Sequence, residues 1–165
     1  MKTKKIKLLT VFLLLLPLGV VLLGAGCEKN EENYENISLE YIRCPCDSEK
    51  SFIEEITMNE ILLFDTTKTT FSEMQELSLD GDTSRFVCYN PENNNAVFYS
   101  KTGLVAKVGY ICNFPETAME WKIPADGILI EYSADVFETC KAVGSIGSWT
   151  SFSDYILTSL KKYEK

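Results

Sequence analysis

Six cysteines and no histidine decide which chemistry is open to this chain. Without imidazole there is no Ser–His or Cys–His nucleophile pair, and most catalytic zinc sites are lost with it. Thiols remain: Cys27, Cys44, Cys46, Cys88, Cys112 and Cys140. Cys44 and Cys46 stand two apart with Arg43 beside them, and a neighbouring cation favours the nucleophilic thiolate. No helix start, the other common cause of an activated thiol, accompanies them, so two structural cysteines reaching separate strands are the plainer reading. Cys112 and Cys140 bracket a strand-rich stretch, and a bridge between them would contribute about 3–4 kcal/mol in the chain-entropy model. Equally, Cys112 alternates with Val108 and Tyr110 and suits a small core position. Spacing leaves the connectivity open among Cys44, Cys46, Cys88, Cys112 and Cys140.

Oxygen chemistry is less developed. Asp80-Gly81-Asp82-Thr83-Ser84 begins like a calcium loop, but Pro91 occupies the place of its closing Glu, which leaves a polar turn. There is no Gly-rich phosphate loop, no serine elbow and no metal-spaced cluster, and none of the 24 acidic residues stands out as a catalytic pair. No catalytic residue, metal ligand or cofactor is therefore assigned. Among the aromatic residues Trp149 is singled out. Gly147-Ser148 before it and Thr150-Ser151 after it make a loop, and loops on β scaffolds are where binding concentrates.

The elements that must position these residues are strands. Ile37, Leu39 and Tyr41 alternate with Ser38, Glu40 and Ile42, and Met58–Phe64 reads as a second strand with an apolar stretch at Ile61-Leu62-Leu63-Phe64. Arg85–Tyr89 and Ala96–Ser100 flank Asn90-Pro91-Glu92-Asn93-Asn94-Asn95, which predicts a hairpin. Along Leu104–Phe114 every second residue from Leu104 falls on one apolar face, Ile128–Val136 does the same, and Tyr155–Tyr163 reads as a closing strand because β-branched and aromatic residues gather there. Glu116–Trp121 suits a short helical turn, and Pro124-Ala125-Asp126-Gly127 a tight one. About seven strands with short connections predict an all-β domain, a small antiparallel barrel or sandwich, over residues 37–165.

The first 26 residues differ in kind. A basic head, Met1–Lys7, precedes an apolar run from Leu8 to Leu23, then Gly24-Ala25-Gly26 and Cys27. Such a segment is a secretory signal, and with a cysteine at its exit it resembles the lipobox of bacterial lipoproteins. Leu23 stands one place earlier than in the family pattern, and Gly24 fills its position. The resemblance implies cleavage after Gly26 and lipidation of Cys27, with two or more acyl chains giving stable anchoring where one does not. An uncleaved membrane helix and cleavage with free release are the alternatives; the apolar run is near the lower limit of about 17 residues for a span. Residues 28–36 are polar and acidic and complete a tether over residues 27–36. An acidic stretch in this place resembles the surface-export signal of Bacteroidetes lipoproteins, so the periplasmic and cell-surface sides of the outer membrane both stay open. Gly109–Glu116, with its Cys112-Asn113-Phe114-Pro115, together with Gly127–Val136, is similar to a pattern in small Bacteroidetes envelope lipoproteins; that resemblance implies compartment and β structure, not an activity.

Charge narrows the partners. Four of the 16 basic residues lie in the first 26, which hold no acid, so 12 basic residues face 24 acidic ones in the remaining 139. That balance excludes a phosphate-binding surface and hence nucleic acid. It also excludes electrostatic docking on anionic lipid, so the membrane would be held through the lipid anchor alone. These observations together predict a non-enzymatic envelope module that binds a glycan, a peptide or a partner protein. A thiol–disulfide accessory protein using Cys44 and Cys46, which resemble the Cys-Pro-Cys of some disulfide-transfer proteins, is the alternative.

Overall fold

The computed structural model describes residues 33–41, 44, 51–139 and 150–164. In chain order these form β1 (Tyr34–Asn36), β2 (Phe52–Asp65), α1 (Phe71–Leu77), β3 (Leu79–Asp80), β4 (Thr83–Asn90), β5 (Asn95–Thr102), β6 (Val105–Ile111), a 3-10 turn (Glu116–Glu120), β7 (Ile128–Glu138) and β8 (Thr150–Tyr163). Asn33–Lys165 form one compact unit. No helix among the described residues is long and apolar enough to cross a membrane.

The all-β expectation holds, and the sheet closes on itself. Strands pair in the order β2-β4-β5-β6-β8-β7, and β7 returns to β2, making a six-stranded barrel. The short strands β1 and β3 add to it by pairing with β8 and β4. Closure removes the free edges that an open sheet would expose. Four seams are antiparallel; β2–β4 and β6–β8 run parallel. A parallel pair needs a crossover, and α1 with β3 supplies the first. The sequence hid this helix among polar residues, although Thr70-Phe71-Ser72-Glu73 is a complete capping box, with Thr70 Oγ1 accepting from the Glu73 N–H and Glu73 accepting from the Thr70 N–H.

Alternation along the strands sends one set of side chains into the barrel. Val87, Tyr89, Ala96, Phe98, Ile130, Tyr132, Ala134, Val136, Tyr155 and Leu157 fill it, as expected for so narrow a ring. Two bulges adjust the phase. Between Met58 and Ile61 the pairing of β2 with β7 shifts, with Glu60 at φ 53°, so inward positions pass from Ile56 and Met58 to Ile61 and Leu63. A second shift between Ser133 and Ala134 does the same for Leu157 and Leu160 on β8. Bulges raise local twist and bend the strand, which is how a small sheet reaches closure. A second, outer core of Phe64, Met74 and Phe86 packs under α1.

Two expectations change at the amino-terminal side. Ile37–Tyr41 is not a strand: Ile37 and Leu39 pack on the core, and the Ile37 N–H donates to the Leu160 carbonyl at 2.9 Å, but no ladder forms. The alternation reported burial, not pairing. Tyr34–Asn36, expected within the tether, forms β1 against Tyr163–Lys161.

Candidate functional site

Six strands leave little room inside the barrel except where it opens. One end holds a cavity of about 370 Å³, within the range of small-molecule sites. Its floor is Phe98 and Tyr155, stacked at 5.7 Å. Tyr155 can lie there because Gly109 on β6 has no side chain; a Cβ at that position would sit 2.6 Å from the ring. Ile56 and Met58 make an apolar flank.

The polar wall comes from strand register. Arg85 on β4 pairs with Ser100 on β5, and Ser100 pairs with Lys107 on β6, so two cations flank a hydroxyl in one row across three adjacent strands. Nearer the rim, Thr83 and Thr102 pair in register and their hydroxyls bond at 3.0 Å. Glu54 stands on β2, three strands from β6 in either direction around the ring, and therefore across the opening from Lys107. Asp80 on β3 completes the charged set. Among the described residues neither Arg85 nor Lys107 forms an ion pair, whereas Lys68, Lys161 and Lys162 pair with Asp65, Glu131 and Glu35 at 2.6–2.9 Å.

Beneath the floor lies Tyr132. It pairs in register with Met58, meets the Phe98 ring at 6.3 Å, and is fully buried. Its hydroxyl is the one buried side-chain polar atom among the described residues without a hydrogen-bond partner, an arrangement that costs about 1–3 kcal/mol. Burial, helped by the nearby Tyr155, pushes the Tyr132 phenol well above its ordinary range, while Arg85 acts in the opposite direction. Burial, with Glu54 adding to it, pushes Tyr155 up to about 12. Both phenols are therefore proton donors at neutral pH.

The cysteines separate. Cys44 is bonded to Cys112, with Cα atoms 5.0 Å apart, so the Cys112–Cys140 bridge weighed from spacing is replaced by one that ties the segment before β2 to the end of β6. Asn113 reinforces the same junction: its amide donates to the carbonyls of Glu40 and Leu157 at 3.1 and 2.9 Å and accepts from the Leu157 N–H at 2.7 Å. Both sulfurs lie within 4.8 Å of the buried Asp154 carboxylate, but sulfurs joined to each other are not thiolate ligands. Cys88 is a free thiol, half-buried near Met74, and burial pushes it up to about 11, which makes it inert rather than nucleophilic. Cys27, Cys46, Cys140 and Trp149 lie outside the described residues.

A second hollow of about 580 Å³ lies over Glu55, Thr57, Ser133, Asp135 and Thr158 on β2, β7 and β8. The Thr57 and Ser133 hydroxyls satisfy each other there at 3.0 Å. It gathers acidic groups with no cation among its lining residues, so the barrel mouth is the better candidate. The sequence reading singled out none of its residues as a binding site; Asp80 and Thr83 entered it only within a polar turn. The available signal was Arg85 and Ser100, polar residues in phase with the apolar positions Val87–Tyr89 and Ala96–Phe98 of one hairpin. No protein-family model matches this chain, and no curated protein matches it.

Proposed function

We propose that this chain is an envelope lipoprotein, anchored through Cys27, whose barrel mouth binds a small polar ligand without transforming it. The observation that carries the binding half is the cavity at the barrel mouth, where uncommitted Arg85 and Lys107 flank Ser100 in one row. Two cations without an ion pair among the described residues offer charge-assisted donors to an anionic group of a ligand. Barrel mouths are common places for such sites. The anchoring half rests on the amino-terminal signal and its terminal cysteine. The binding role agrees with a histidine-free chain whose described free thiol is inert.

Native mass spectrometry of the protein extracted from membranes tests both halves. The expected mass begins at Cys27, carries acyl chains, and falls by a small-molecule increment on denaturation. That increment should disappear from an Arg85→Ala, Lys107→Ala double variant. A mass beginning at Met1, or lacking lipid, would overturn the anchor. Identical lipid-corrected masses before and after denaturation would overturn the binding site.

A further inference from the structure

We infer that the ligand of the barrel mouth is a short peptide with free ends, bound as a zwitterion across the opening; the inference rests on the binding role proposed above. The mouth carries two cations, Arg85 and Lys107, and two carboxylates, Glu54 and Asp80, with none paired to another among the described residues. A cavity whose opposite charges are held apart complements a molecule that is itself dipolar and neutral overall. A simple anion would meet Glu54 and Asp80 as well as the acidic balance of the whole chain. A neutral sugar would leave four charges without a counterpart.

The placement of the charges selects length. Lys107 and Glu54 stand on β6 and β2, opposite each other in the ring. At about 4.8 Å between neighbouring strands, the ring is on the order of 10–15 Å across before side chains narrow it. The ends of an extended dipeptide are roughly 7 Å apart at about 3.3–3.6 Å per residue. Its carboxylate fits the Arg85–Ser100–Lys107 row, where cations and a hydroxyl donate together. Its ammonium then faces Glu54. Phe98, Ile56 and Met58 offer apolar surface to the side chains, and the Tyr155 hydroxyl offers a donor to the peptide carbonyl.

The test is titration of the full-length chain in detergent micelles with Ala-Ala, N-acetyl-Ala-Ala and Ala-Ala-amide, followed by ligand-detected NMR, with maltotriose as a neutral probe. Ala-Ala should bind, and each blocked form should bind at least about tenfold more weakly, since each lacks one charge-assisted contact. Lys107→Ala should erase the preference over the amide, and Glu54→Gln the preference over the acetylated form. Both side chains are exposed, so both variants should unfold at the wild-type temperature. Equal affinity for all three peptides would overturn the zwitterion assignment. Binding of maltotriose with no response to Ala-Ala would overturn the peptide but leave the mouth a binding site. Silence from every probe would overturn both.

Discussion

Gly109 shows how one residue type fixes the mouth. The Tyr155 ring lies flat on its Cα, and a Cβ there would come within 2.6–2.8 Å of three ring carbons. Gly109→Ala therefore has to displace a buried ring that also stacks on Phe98. Overpacking of this kind costs about 1–3 kcal/mol. Urea denaturation should find that loss, and the displaced ring should also weaken ligand binding at the cavity floor. Stability within about 0.5 kcal/mol of the wild type would mean that Tyr155 moves aside freely and that the floor is not fixed by Gly109. The same scale accounts for Cys112-Asn113-Phe114-Pro115, of which the sequence marks Cys112 as a disulfide candidate and the rest only through a resemblance. Cys112 carries the disulfide, the Asn113 amide bonds three backbone groups, Phe114 packs between Tyr89 and Trp121, and Pro115 begins the 3-10 turn. Each role in that stretch is structural.

The turn that ends β2 is an element held by one carboxylate. Asp65 is buried, and its Oδ1 accepts from the Thr67 N–H at 2.9 Å and the Thr67 hydroxyl at 2.6 Å. Lys68 pairs with its other oxygen at 2.9 Å and also donates to the Ile123 carbonyl at 3.0 Å, which ties the turn to the loop before β7. Burial pushes the Asp65 carboxyl up, but the Thr67 and Lys68 bonds together outweigh it and hold the group below its ordinary 3.8. The unfolded chain therefore binds this proton more readily than the folded one. The contribution to stability is complete above the unfolded value and is lost as pH falls through the lower, folded value. Asp65→Asn should cost about 1–3 kcal/mol at pH 7. The gap to wild type should narrow as circular dichroism follows both proteins below pH 4; a gap that stays constant to pH 2 would assign the loss to packing rather than charge. Elements of this kind also mark the limit of sequence reading. The hairpin of β4 and β5, the long β7 and the closing β8 were legible because period-two alternation survives wherever one face is buried. The bulge at Glu60 was not, because a glutamate with positive φ carries no compositional sign. The pairing row Arg85–Ser100–Lys107 was legible only in part: the hairpin puts Arg85 and Ser100 in phase, but Lys107 joins them only once a third strand is in register.

At the scale of the whole molecule, two kinds of closure coexist. The ring of six strands closes by backbone hydrogen bonds between residues 52 and 163. The Cys44–Cys112 bond closes a separate loop spanning 68 residues, from the segment before the barrel to the end of β6. Since no ring seam passes through that bond, its loss should leave the barrel folded while enlarging the freedom of the unfolded chain. For a loop of this size the chain-entropy model gives about 4 kcal/mol. A double Cys44→Ala, Cys112→Ala variant should therefore unfold at lower urea, by an amount corresponding to about 4 kcal/mol, with β-sheet circular dichroism and the affinity of the barrel mouth retained. Neither cysteine lines the mouth, but the Cys112 N–H donates to the carbonyl of the floor residue Tyr155 at 2.9 Å, so binding reports whether the disulfide reaches the floor. Loss of binding with β structure preserved would show that the disulfide shapes the mouth as well as restraining the chain. A loss of stability below about 1 kcal/mol would show instead that the hydrogen bonds of Asn113 to Glu40 and Leu157 hold this segment in place without covalent help.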